Sequence, residues 1–274
     1  MEAVLSGKYD RLKSEIRGYK SVLVAFSGGI DSSLVAHVAA QELGDAALAV
    51  TSGSASLKRQ DLDLTRHLAK QWRMQHKVIK TDELENPDYR ANPIDRCFYC
   101  KTSLYLSLAE IASRQGYAYI LNGTNCDDLG DHRPGLRAAE DYGVKSPLVD
   151  AGFEKSDIRA LAEHLGLENA QKPQAACLSS RFPYGMQISE QLLSQVEQAE
   201  NVLSSLGFRQ FRVRHHEDVA RLELPVDAFT RALEMRDDIE SRIKACGYRF
   251  VALDLGGFRS GALNEGVIEL RQLS

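Results

Sequence analysis

The sequence predicts an α/β protein: a parallel sheet wrapped by helices, followed by a smaller α+β unit. Three observations carry this reading. From Ser21 to about Leu167, short β-branched or apolar runs alternate with longer helical segments, the pattern of strands joined by helical crossovers. The first of those runs ends in a glycine-serine turn that opens directly into a helix. Beyond residue 189 the order of helices and strands changes, and no internal repeat or low-complexity tract appears.

The strands of the larger unit are "SVLVAFS", "AALAVTS", "HKVIKT" and "YAYILNG", with helices beginning near Asp31, near Lys58 and near Lys101. The last carries Leu104, Leu108 and Ile111 at helical spacing. Ser156 is suited to cap a further helix, "DIRALAEHLGL", with Asp157 at its positive end and Gly166 at its stop. The next segment, "ENAQKPQAACLSSRFPYGMQIS", is rich in small and turn-forming residues without a period, so it reads as a functional connecting loop. A helix from Glu190 to Leu206, strands "FRVRHH" and "VARLELP", a helix through Asp227 to Ala245 and "RFVALDLG" complete the chain. The expected organisation is a first domain over 1–172, a connecting loop over 173–188 and a C-terminal domain over 189–274.

With 43% hydrophobic and 26% charged residues, the 274-residue chain has the composition of a globular protein. Its apolar runs are too short to span a bilayer, and "MEAVLSGKYDRLKSE" lacks a basic segment followed by an apolar one, so no membrane association and a cytoplasmic location are expected. A formal net charge of −4 gives no global positive field, which disfavours nucleic acid as a partner. The five cysteines are Cys97, Cys100, Cys126, Cys177 and Cys246, an odd set that in a reducing compartment points to metal or redox use of any that cluster.

The turn Ser27-Gly28-Gly29-Ile30-Asp31-Ser32 lies between a strand and a helix. Its glycines allow close approach of a ligand to the backbone, and Ser27, Ser32 and Ser33 add hydroxyls at the positive end of the helix, so an anion is expected there. No lysine follows the glycines as in a Walker A loop, and G-x-G-x-x-G is absent. The turn resembles the SGGxDS loop of the PP-loop ATP pyrophosphatases, which implies a Rossmann-like domain of the adenine nucleotide alpha hydrolase type that cleaves ATP between the α and β phosphates. Asp31 is a candidate Mg²⁺ ligand or a helix cap. Asn125, Asp127, Asp128, Asp131 and His132 follow the fourth strand, either as a solvated turn or at the nucleotide.

Cys97 and Cys100 form a C-x-x-C just ahead of the helix near Lys101, a spacing open to zinc, a redox disulfide or iron–sulfur ligation. No second pair completes a zinc site. Cys177, in the irregular segment, supplies a third thiol, and three thiolates would bind a 4Fe-4S cluster with one iron left open to carry sulfide. The alternative is that Cys177 is a small buried hydrophobe and the pair adventitious. Cys126 and Cys246 each sit alone, in or near a regular element.

Taken together, "AFSGGIDSSL", "DHRPGLRAA", "CLSSRFPYG", "RVRHHEDVARLELP" and "LDLGGFRSG" resemble the LarE family, PP-loop sulfur transferases of nickel-pincer nucleotide synthesis, along nearly the whole chain. The resemblance implies that ATP adenylylates a carboxylate of pyridinium-3,5-biscarboxylic acid mononucleotide, a small-molecule nucleotide substrate, and that sulfur displaces AMP to leave a thiocarboxylate. In one branch the sulfur comes from a sacrificed cysteine; in another, which carries a C-x-x-C as here, from a 4Fe-4S cluster recharged by sulfide or a sulfur donor. Cys97, Cys100 and Cys177 are then the cluster ligands.

Ser27, Gly28, Gly29, Asp31 and Ser32 of the turn are expected to hold the nucleotide, with Mg²⁺, joined by Ser52 at the end of the second strand and Thr124 and Asn125 at the end of the fourth, where nucleotide sites form in open parallel sheets. Ser180, Arg181, Arg212, Arg214 and Arg259 would form a guanidinium-rich pocket for substrate phosphate or carboxylate, Arg212 and Arg214 alternating along one strand to share a face. Cys177, Asp31 and Glu200 are the catalytic candidates, Glu200 orienting an arginine or acting on a proton. Self-association through the C-terminal unit is expected. The rival readings are a cluster-dependent tRNA thiolase, an amidating ligase and a non-catalytic nucleotide-binding regulatory module; net acidity and the lack of an appended RNA-binding module weigh against the first.

Overall fold

A computed structural model describes residues 2–130, 134–173 and 176–259. The chain divides into two compact units, one of residues 1–89 and 94–175, the other of residues 90–93 and 176–274. The segment from Ala176 onward, expected to begin inside a connecting loop, packs with the second unit. No helix among the described residues is long and apolar enough to cross a membrane.

The first unit runs α1 (Ala3–Tyr19), β1 (Val22–Ala25), α2 (Ile30–Leu43), β2 (Ala47–Ser52), α3 (Arg59–Gln71), β3 (Gln75–Ile79), a single-turn α4 (Pro87–Arg90), α5 (Arg96–Gln115), β4 (Tyr119–Leu121), α6 (Pro134–Asp141), α7 (Pro147–Asp150) and α8 (Lys155–His164). Its sheet is parallel throughout, in the order β3-β2-β1-β4. Because side chains alternate across a strand, Val22 and Val24 enter the core that Leu12, Ile16, Leu34, Val38 and Leu161 fill, while Leu23 enters another with Leu48, Tyr105, Leu108 and Ile120. Both faces of the sheet are therefore covered, as a parallel sheet requires.

Several elements differ from the sequence reading. Helix α1 has no counterpart in it: of its 17 residues only Leu12 and Ile16 are buried, too sparse an apolar stripe to announce a helix. Helix α5 begins at Arg96, so Cys97 and Cys100 lie inside the helix, at its second and fifth positions. Helix α8 is capped by Glu154, whose side chain and that of Asp157 form a reciprocal capping box, with Ser156 already inside the helix.

The second unit holds α9 (Glu190–Ser205), β5 (Arg212–His216), β6 (Val219–Glu223), α10 (Phe229–Glu234), α11 (Arg236–Ala245) and β7 (Phe250–Leu253). Ser189 caps α9 by accepting a hydrogen bond from Leu192 N. Strand β6 pairs antiparallel with β5 and parallel with β7. The single helix expected over Asp227–Ala245 is broken into a 3-10 turn at Val226–Ala228 followed by α10 and α11.

Candidate functional site

The order β3-β2-β1-β4 makes the gap between β1 and β4 a switch point, where connections leave the sheet in opposite directions and ligands of open α/β sheets bind. The Ser27–Ser32 turn lies there, at the end of β1. Gly28 has φ +71°, a left-handed conformation that glycine takes without cost, and a Cβ on it would approach Thr65 Cγ2 to 3.1 Å. Ser32 Oγ accepts from Ser27 N at 3.2 Å and donates to the Gly29 carbonyl at 3.1 Å, and the Ser27 and Ser32 hydroxyls are 3.1 Å apart. The turn is thus braced by its own hydroxyls, with Gly29 at the N-cap of α2.

Gly123, just past β4, closes the other side of the gap. A Cβ there would stand 2.6 Å from Ser32 N and 2.9 Å from the Asp31 carbonyl carbon, so only glycine lets the end of β4 approach the first turn of α2 this closely. Of the other residues expected at the nucleotide, Ser52 Oγ is 2.6 Å from Thr81 Oγ1, and Thr124 N donates to Asn122 Oδ1 at 3.0 Å. Asn125 is buried and closes a turn: its N donates to Asp128 Oδ2 and its Oδ1 accepts from Asp127 N. The acidic run is therefore a turn as far as Asp128; Asp131 and His132 lie outside the described residues. Lys155 Nζ donates to both carboxylate oxygens of Asp31, 2.6 Å from Oδ1, so the one acidic side chain of the turn is charge-paired within the fold.

Cys97 and Cys100, three apart at the second and fifth positions of α5, share one side of the helix; Cys97 is exposed and Cys100 half-buried. Cys177 belongs to the second unit, half-buried before a 3-10 turn at Leu178–Arg181. Among the described residues no group of three or more His, Cys, Asp or Glu side chains is placed to hold a metal ion.

In the second unit the expected arginine pocket resolves into two buried ion pairs and one surplus cation. Arg181 and Glu200 are 3% and 2% exposed and meet at 2.7 Å, and Glu200 also accepts from Val213 N at 3.1 Å. The remaining Arg181 donors reach the Ala176 carbonyl at 3.2 Å, the Cys177 carbonyl at 3.4 Å and Ser180 Oγ at 2.8 Å, while Ser180 Oγ donates to the Cys177 carbonyl at 2.7 Å. Glu200, expected to be catalytic, is buried behind this arrangement and fixes Arg181, which in turn fixes the backbone of Cys177. Arg214 makes a two-pronged contact with buried Glu223 at 2.8 and 3.0 Å and donates to the Ser180 carbonyl at 2.6 Å. Arg212 stands apart: it is 4.0 Å from Glu223, lies over the Phe258 ring at 4.5 Å and donates to the Arg259 carbonyl. Burial, with the charges of Arg214 and Arg181, pushes its pKa below the ordinary value, against the opposing pull of Glu223 and Glu200.

Sequence reasoning passes over Gly123, Lys155, Asn169 and Glu223. Gly123 reads as the end of a strand, Lys155 is overshadowed by Ser156, and the partners of Asn169 and Glu223 come from distant elements or across a hairpin.

A glycine-serine turn at the switch point of a parallel sheet, braced by its own hydroxyls at the start of a helix, defines a nucleotide-using protein of the PP-loop type. Residues 10–131 match the family model described as asparagine synthase. The chain is 39% identical over 264 residues, 96% of each chain, to the pyridinium-3,5-bisthiocarboxylic acid mononucleotide synthase of Lactiplantibacillus plantarum. It is also 39% identical over 264 residues to an uncharacterized protein of Synechocystis, covering 95% of this chain and 98% of that one. One subunit of the glutamine-hydrolyzing GMP synthase of Thermoplasma acidophilum is 26% identical over 189 residues, 61% of this chain and 59% of the relative. The chain belongs to the LarE family of PP-loop, ATP-dependent sulfurtransferases.

Proposed function

We propose that the protein activates a carboxylate of pyridinium-3,5-biscarboxylic acid mononucleotide with ATP and exchanges one carboxylate oxygen for sulfur. The observation that carries this reading is the braced Ser27–Ser32 turn at the switch point, in a chain aligned over 96% of its length with a bisthiocarboxylic acid mononucleotide synthase. The carboxylate oxygen attacks the α-phosphorus, the bond to the bridging oxygen of the β-phosphate breaks, and pyrophosphate leaves. A sulfur nucleophile then attacks the acyl carbon and AMP departs with the original oxygen. Gly29 N–H and the N-terminus of α2 stabilise the negative charge of the departing pyrophosphate. Asp31 would hold Mg²⁺, which would supply charge neutralisation at the phosphates, and Lys155, paired with Asp31, adds positive charge beside it.

Arg212, the surplus cation, takes the substrate phosphate or a carboxylate; Arg181 and Arg214, anchored on Glu200 and Glu223, shape the surface on which it sits. Two thiols on one side of a helix N-terminus, where negative charge is favoured, suit two positions of an iron–sulfur cluster. Cys97, Cys100 and Cys177 would hold a 4Fe-4S cluster, which supplies transferable sulfide when bound. Exposed Val226, Leu233, Phe250 and Leu255 support self-association through the second unit.

The test is iron and acid-labile sulfide per chain on protein purified without oxygen, beside Cys97→Ala and Cys177→Ala. About four irons, lost in both variants, supports the three-thiolate cluster. Iron-free protein that thiolates its substrate once and loses one sulfur from Cys177 would replace that cluster with a sacrificial cysteine.

A further inference from the structure

Helix α8 is followed by a short segment that returns beneath the phosphate loop. Asn169, on that segment, is 5% exposed and uses its amide nitrogen twice: Nδ2 donates to the Gly28 carbonyl at 3.0 Å and to Ser33 Oγ at 2.7 Å. The reverse orientation would set Asn169 Oδ1 against the Gly28 oxygen, acceptor facing acceptor. In the orientation that stands, Asn169 Oδ1 is buried without a hydrogen-bond partner, so the local geometry favours donation to the loop over satisfaction of the side chain itself. Lys172 reinforces it, with Nζ 3.3 Å from the same Gly28 carbonyl and 2.8 Å from Asp61 Oδ1.

The Gly28–Gly29 peptide is trans, so its C=O and N–H point in opposite directions. With the Gly28 oxygen drawn down onto Asn169 and Lys172, the Gly29 N–H lies on the opposite edge, where its contact to Ser27 Oγ is a long 3.4 Å. Gly28 has no Cβ to resist rotation of this peptide, so the loop's own stereochemistry does not fix the carbonyl. A rotated peptide would turn the oxygen toward the anion and the N–H away from it.

We infer that Asn169 is a positioning residue for the phosphate loop: it holds the Gly28 carbonyl away from the bound polyphosphate and thereby presents the Gly29 N–H to it. This rests on the reading of the loop as the ATP site. Asn169 does not touch the nucleotide; it acts through one peptide plane.

The test measures ATP and AMP binding by calorimetry, with Mg²⁺, and apo-protein melting, for wild type, Asn169→Leu and Asn169→Ser. Leucine keeps the volume without a donor, and serine is too short to reach the carbonyl. In both variants ATP affinity is expected to fall about tenfold or more, the loss for a hydrogen bond acting on a charged ligand, with AMP affinity changed less than about twofold. If either variant folds and binds ATP as wild type does, the inference is overturned. It is equally overturned if ATP and AMP weaken together with a large fall in melting temperature, which would mark a purely structural residue. Wild-type protein that fails to bind ATP would overturn the nucleotide reading itself, a result separate from either of these.

Discussion

Replacing Gly123 with alanine tests how tightly the two sides of the nucleotide gap are fitted. The new Cβ would stand 2.6 Å from Ser32 N, roughly 0.8 Å short of the 3.4 Å at which ordinary contact begins, and 2.9 Å from Ser32 Cα and the Asp31 carbonyl carbon. All three atoms are backbone, so no side chain can swing aside; the first turn of α2 or the end of β4 must move. Overpacking of this kind costs about 1–3 kcal/mol, and in a domain of this size each kcal/mol lowers the melting temperature by roughly 2–4 °C. The larger effect falls on chemistry, because the displaced atoms belong to the phosphate loop, and a shift approaching 1 Å costs about a hundredfold in rate. The assay is AMP and pyrophosphate release with ATP and the dicarboxylate mononucleotide, beside a thermal melt. Gly123→Ala is expected to stay folded while turnover falls between about tenfold and a hundredfold. A folded variant with unchanged turnover and KM for ATP would refute the claim that this close approach sets the loop.

In the second unit, Glu200→Gln leaves Arg181 buried without its counter-charge and is expected to destabilise by about 3 kcal/mol in urea titration, toward the lower end of what breaking a buried pair costs. Arg212→Ala is expected to raise KM for the substrate at least about tenfold with little change in stability, whereas Arg214→Ala takes the two-pronged partner from buried Glu223, leaving it Arg221 at 3.3 Å and Arg212 at 4.0 Å, and shows first as a lowered melting temperature. Equal melting temperatures for these two variants would contradict the division of roles. His37, His76, His215 and His216 all have pKa values lowered, chiefly by burial. The unfolded chain therefore binds more protons between the lowered folded values and about 6.5, so stability rises with pH through that window and falls on acidification below about 6.5. Urea titrations at pH 7.5 and 5.5 that show equal or greater stability at the lower pH would contradict this.

The sheet is legible because β1 and β2 are almost entirely buried and read as unbroken apolar runs, and the phosphate loop because glycines and hydroxyls fall together between a strand and a helix. Less legible are features whose cause is tertiary. Helix α1 offers only Leu12 and Ile16 to the core, and α5 starts at Arg96 without a side-chain cap at Asp95, so its boundary and the helical placement of Cys97 and Cys100 carry no local signal. The arginines are visible as residues, but their partners are not. Arg214 meets Glu223 only because the β5–β6 register sets Arg212 opposite Glu223, and Arg181 meets Glu200 only because α9 packs against the segment that carries it. Asn169 sits among turn formers, and its use appears only when the segment folds back onto Gly28.

The most direct test of sulfur transfer is the stoichiometry of AMP, pyrophosphate and thiocarboxylate when protein purified without oxygen is incubated with ATP, Mg²⁺, sulfide and pyridinium-3,5-biscarboxylic acid mononucleotide. The account predicts one AMP and one pyrophosphate for each oxygen exchanged for sulfur, with Cys177→Ala abolishing the thiocarboxylate. AMP and pyrophosphate released with no sulfur in the product, or a Cys177→Ala variant that thiolates at the wild-type rate, would contradict it.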